Sequence, residues 1–145
     1  MAKTGRCVCG AVGYVLEGDL GPLVNCHCQY CRRAHGAAFA TVSWVQRADL
    51  RFTAGEDAVR EYPTREGLRY FCERCGTRLF NRPRSSLEVI SLVIASLDEE
   101  PEEGPLMHIN VESKARWYRI LDDLPQYEAL PPTLDANSPA SSRGI

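Results

Sequence analysis

Leu68-Arg69-Tyr70-Phe71-Cys72-Glu73-Arg74-Cys75-Gly76-Thr77-Arg78-Leu79-Phe80 is the stretch that decides the architecture. Leu68 to Phe71 has the aromatic and apolar make-up of a strand, and Thr77 to Phe80 resumes one on the far side. Between them two thiols curl over a tight turn, and Gly76 can adopt the backbone angles such a turn requires. Two cysteines at this spacing form half of a tetrahedral zinc knuckle. The unit expected here is an antiparallel hairpin pinned at its tip by a metal, inside a fold that is mainly β.

A half-site needs a second pair of ligands. Cys7-Val8-Cys9-Gly10 is the natural partner, two thiols followed by a glycine in the same style. Joining the pairs closes a loop of about sixty residues, at an entropy cost that grows only logarithmically with length. Structural zinc binds with roughly 10–16 kcal/mol, which exceeds that cost. Cys7, Cys9, Cys72 and Cys75 therefore read as a closed, structural zinc site. The remaining three of the chain's seven cysteines lie in Cys26-His27-Cys28-Gln29-Tyr30-Cys31. Three local thiolates can wrap one face of a metal and leave a position for water or a substrate atom, the layout of a catalytic zinc. Two zinc ions per chain are expected.

Other uses of seven thiols fit less well. No apolar segment follows Met1-Ala2-Lys3-Thr4, so a cytoplasmic, reducing setting is expected, where disulfides are rare. The odd count also opposes a closed disulfide set, and the spacings match neither common ferredoxin run. A fourth protein ligand to the middle cluster would make that site structural too. His27 lies between two ligands and should point away from them, His35 follows Cys31 by one helical turn, and His108 is unconstrained. The ordinary reading of each is a surface residue or a hydrogen-bonding neighbour of the site.

Outward from the cysteines, the chain reads as strands. They are expected over 11–16, 38–45, 49–53, 58–62 and 87–97, the last being the most apolar and central, with one short helical turn over 32–36. At 145 residues with 44% hydrophobic content the chain can bury a sizeable core. A single domain is expected over 1–130, followed by a flexible tail over 131–145 where Pro, Ser, Asn and Gly accumulate. The formal net charge of −2 gives no global attraction for nucleic acid. No apolar run reaches membrane-spanning length.

The matching stretches Gly5 to Val12, Cys26 to Arg32 with Gly36 and Phe39, and Phe71 to Gly76 resemble the glutathione-dependent formaldehyde-activating enzymes, a family that includes the centromere protein V branch. His108-Ile109 with Lys114 and Trp117 match more weakly. The resemblance implies a β-tent fold of antiparallel sheets joined at zinc knuckles. It also implies a structural zinc on Cys7, Cys9, Cys72 and Cys75 and a catalytic zinc on Cys26, Cys28 and Cys31. The activity it implies is a carbon–sulfur lyase reaction run toward synthesis, the condensation of glutathione with formaldehyde to S-(hydroxymethyl)glutathione.

That chemistry suits the middle cluster. A free thiol has a pKa of about 8.5, and only its thiolate attacks carbon well. Three thiolates on Zn²⁺ leave a net charge of −1, a setting better matched to holding a thiolate than to activating water. Arg32, Arg33 and His35 follow the knuckle directly, and Arg32 and His35 are the candidates for binding substrate. The expected partners are a small thiol such as glutathione and a small aldehyde. Two further readings are a non-catalytic zinc-stabilised binding module and redox chemistry on the middle thiols.

Overall fold

The computed structural model describes residues 1–131, so the tail expected over 131–145 lies, Pro131 apart, outside the described residues. The chain is mainly β. In order it forms β1 (Lys3–Arg6), β2 (Gly13–Leu16), β3 (Leu23–Cys26), α1 (Gln29–His35), β4 (Ala40–Gln46) and β5 (Leu50–Ala54). β6 (Val59–Pro63), β7 (Gly67–Cys72), β8 (Arg78–Pro83), β9 (Val89–Val93) and β10 (Met107–Ile109) follow. A small sheet has the order β1-β2-β5, and a seven-stranded sheet has the order β10-β3-β4-β9-β8-β7-β6. Among the described residues every pairing of two named strands is antiparallel except that of β10 with β3. Among the described residues no helix is long and apolar enough to cross a membrane.

β9 is the middle strand of the large sheet, and four of its five residues are buried. The apolar run expected as strand over 87–97 is nevertheless cut short. Ser96 Oγ donates to the Val93 carbonyl at 2.8 Å and Leu97 N to the Ile94 carbonyl at 3.0 Å, turning Ile94–Ser96 into a 3-10 helix. The helix after the middle cysteines starts earlier than the turn expected over 32–36. Cys28 Sγ accepts the Cys31 N–H at 3.3 Å and closes the N-terminus, while Gly36 ends the helix at φ 59°.

Two cores result. One gathers Cys7, Tyr14, Leu16, Leu50, Cys72, Leu79, Phe80, Ile90 and Leu92 between the two sheets. The other gathers Val24, Cys26, Cys31, Ala40, Val42, Val93 and Ile109 beneath α1. Fully burying one large aliphatic side chain stabilises by roughly 1.5–3 kcal/mol, so both cores are substantial. Each contains cysteines from a different cluster, which places the two candidate metal centres in separate packing units.

Candidate functional site

The first cluster is built by two turns of the same design. Gly10 N bonds to the Cys7 carbonyl at 3.0 Å, and Gly76 N bonds to the Cys72 carbonyl at 2.8 Å. Each turn closes with a hydrogen bond across five residues, Cys7 N to Val12 O and Cys72 N to Thr77 O, both 3.0 Å. The glycines have φ of 75° and 76°, the left-handed region that the turn requires. The ligand atoms of Cys7, Cys9, Cys72 and Cys75 all lie within 4.8 Å of one another. Zinc–sulfur bonds of about 2.3 Å in tetrahedral geometry put sulfurs about 3.8 Å apart. Cys7 and Cys9 are 3.5 Å apart and Cys9 and Cys72 3.9 Å, so the donor set fits a tetrahedral thiolate site. Thr77, which bonds Cys75 Sγ at 3.1 Å, holds that thiol down to about 5.

The second cluster sits where β3 passes into α1. Cys26 ends the strand, Cys28 caps the helix and Cys31 lies in its first turn. Their sulfurs are also within 4.8 Å of one another, and among the described residues no histidine or carboxylate joins them. The hydrogen bonds that Cys26 and Cys31 make to it hold the Cys28 thiol far below the ordinary thiol range. Its bond to Cys28 pushes Cys26 up to about 11. Bonds to Cys26 and Cys28 push Cys31 up as well. Three sulfurs this close carry one negative charge readily and resist the next two, a demand that a soft divalent cation meets.

Each sulfur also receives an N–H. Asn110 Nδ2 donates to Cys26 Sγ at 3.3 Å, Cys31 N to Cys28 Sγ at 3.3 Å, and both terminal nitrogens of Arg69 to Cys31 Sγ at 3.8 and 3.9 Å. All three cysteines line a cavity of about 750 Å³, whereas none of the other four does. Arg65, Arg69, Arg82 and Arg84 line it against Glu66 and Glu112, with Tyr30 and Trp44 supplying aromatic wall.

His27 points away from the sulfurs and is fully buried. Its Nε2 lies 2.8 Å from His108 Nδ1, and His108 Nε2 lies 3.0 and 3.1 Å from the two oxygens of Asp122. With the carboxylate ionised, His108 donates through Nε2 and accepts through Nδ1 from His27. Burial pushes His27 down to about 4, so it is neutral. Phe39 and Tyr118 pack against the His27 ring. Lys114 donates to the Ala115 and Tyr118 carbonyls at 3.1 and 2.6 Å, fastening the turn that carries Tyr118.

Of the residues singled out in the sequence, the seven cysteines are brought together in the two groups described. His27 and His108 meet each other, not the sulfurs. Arg32 and His35 do not line the cavity; each has one buried ring or guanidinium nitrogen without a hydrogen-bond partner among the described residues. Arg69 and Asn110 were not singled out, and both touch the three-cysteine cluster.

The sequence model of the glutathione-dependent formaldehyde-activating enzyme family matches residues 2–113, which include all seven cysteines. A Halomonas elongata protein described as "putative glutathione-dependent formaldehyde-activating enzyme" is 27% identical over 128 residues, covering 83% of this chain and 82% of that one. A Podospora anserina protein of the same description is 28% identical over 102 residues, covering 68% of this chain but 48% of its own length. The chain thus spans about half of that fungal relative. A crystal structure of a Rhodobacter sphaeroides protein matches with a TM-score of 0.57 at 28% identity, covering 70% of this chain and 97% of that one.

Proposed function

The chain belongs to the glutathione-dependent formaldehyde-activating enzyme family, and from that premise we propose that it joins a small anionic thiol, glutathione, to formaldehyde or a related small aldehyde at the Cys26, Cys28 and Cys31 centre. The observation that carries this reading is the contrast between the clusters. Four sulfurs complete one centre away from the cavity, and three sulfurs form the other in the cavity wall.

Cys7, Cys9, Cys72 and Cys75 would hold a structural zinc, and Cys26, Cys28 and Cys31 a second one. When bound, the second ion supplies a coordination position at which a substrate thiol is held as thiolate. The protein contributes the rest. Asn110 and Arg69 fix the directions of the Cys26 and Cys31 side chains, and the backbone of α1 fixes Cys28. Tyr30 and Trp44 offer apolar surface to the body of a thiol substrate, and the surplus of arginine over glutamate in the wall suits its carboxylates. The overall change forms one carbon–sulfur bond, opens the aldehyde C=O to a C–O single bond and moves the thiol proton to that oxygen. Nothing is oxidised or reduced. In reverse it is a carbon–sulfur lyase reaction.

The test is metal content per chain together with formaldehyde consumption in the presence and absence of glutathione. Two zinc ions per chain and consumption that requires glutathione are expected. One ion per chain and no thiol-dependent consumption would leave a zinc-stabilised binding module.

A further inference from the structure

Arg69 carries a buried charge that no acid among the described residues neutralises. It is 8% exposed, and among the described residues no carboxylate lies within 4.0 Å of its guanidinium; the ion pairs there involve Arg6, Arg51, Arg60 and His108. Its two terminal nitrogens straddle Cys31 Sγ, and one of them also reaches Asn81 Oδ1 at 3.4 Å. The guanidinium lies 6.0 Å from the centre of the Tyr30 ring. Its Nε has no hydrogen-bond partner among the described residues. A guanidinium removed from water without a counter-charge is strongly unfavourable. Among the described residues, the candidate for that counter-charge beside it is sulfur.

We propose that Arg69 is the internal counter-ion of the three-cysteine centre, a positioning residue that acts through Cys31 to let an anionic ligand join the metal. The proposal rests on reading Cys26, Cys28 and Cys31 as metal ligands. Three thiolates on a divalent ion carry −1, and a thiolate from substrate takes the centre to −2. With Arg69 included the sums are 0 and −1. The amide of Asn110 and the Cys31 N–H can polarise the other two sulfurs but bring no net charge, so Arg69, the one buried arginine or lysine among the described residues, sets the balance. A neutral residue at this position would leave a negative centre facing a negative entrant.

Cobalt(II) in place of zinc reports on the centre through its sulfur-to-metal charge-transfer absorption, and competition with a chelator gives its affinity. In Arg69→Gln the three-cysteine centre is expected to bind cobalt(II) at least about tenfold more weakly, the loss of one charged hydrogen-bonded group. Its charge-transfer band should move to lower energy, because the Cys31 sulfur keeps more electron density. The four-cysteine centre should be unchanged, which certifies the fold. Arg69→Lys keeps the charge but gives up the two-pronged contact with Cys31, and should lose less than about tenfold. Native affinity and an unmoved band in Arg69→Gln would overturn the proposal. So would a loss in Arg69→Lys beyond about tenfold, and this second variant decides alone if Arg69→Gln does not fold. A native protein that takes cobalt(II) in both centres but consumes no aldehyde defeats the proposed reaction and leaves the role of Arg69 intact.

Discussion

Cys28 has two jobs in one side chain, capping α1 and standing in the three-sulfur cluster. Serine keeps an acceptor for the cap and removes a soft ligand. Cys28→Ser is therefore expected to melt within about 4 °C of the native protein while losing metal from this centre alone and all thiol-dependent turnover; metal analysis beside a thermal melt checks it. Tyr14 belongs to the other core. It is 1% exposed, bonds Ser96 Oγ at 2.6 Å, and burial pushes its hydroxyl up to about 12 from the ordinary 10. Above pH 10 the unfolded chain releases this proton and the folded chain keeps it, so stability falls as pH rises from 10 toward 12. Tyr14→Phe should flatten that part of the curve in denaturant titrations at stepped pH. A β-carbon at Gly5 would collide with the Tyr14 ring and the Ser96 carbonyl, which are rigidly placed. Gly5→Ala is expected to cost about 1–3 kcal/mol. At this scale the cysteines were legible because ligand spacing is local. Arg69 was not: its partner lies 38 residues away, and an arginine in a strand ordinarily faces solvent.

β10 is three residues long, yet it holds the edge of the large sheet in place. It pairs in parallel with β3, so Ile109 lies beside Cys26, and the Ile109 carbonyl accepts the His27 N–H at 3.0 Å. On its other side the His108 backbone bonds Pro125 and Tyr127, at 2.8 and 2.9 Å. The His108 ring then joins His27 to Asp122. Removing it strands the buried His27 Nε2 and opens a void, so His108→Ala is expected to cost about 3 kcal/mol. Urea unfolding measures this, and a loss below about 1 kcal/mol would mean that the backbone bonds alone secure β10. Strand signals were legible where apolar and β-branched residues cluster, as in β4 and β9. β1 escaped because only Gly5 of Lys3-Thr4-Gly5-Arg6 is buried, and its pairing with β2 runs through the backbone. The early start of α1 escaped because a cysteine capping a helix is an unusual N-terminal signal.

Across the molecule, the proposed function assigns the two clusters different work. The four-cysteine group ties the turn after β1 to the turn between β7 and β8, with Cys7 and Cys72 inside the main core. Structural zinc contributes roughly 10–16 kcal/mol, comparable to the whole stability of about 5–15 kcal/mol expected for a domain. Cys72→Ala should therefore fail to fold cooperatively, in contrast to Cys28→Ser, and circular dichroism melts would separate the two. The grouping of the sulfurs into four and three was legible from ligand counting. The cavity was not, because its wall is drawn from β4, β7, β8, α1 and the segment after β10, which only the sheet order brings together. The most direct measurement is a glutathione titration of the protein carrying cobalt(II) in the three-cysteine centre, followed through the sulfur-to-cobalt absorption. A saturable rise in that band, as a fourth sulfur joins three, is the expected result. A spectrum indifferent to glutathione would mean that this centre admits no thiol.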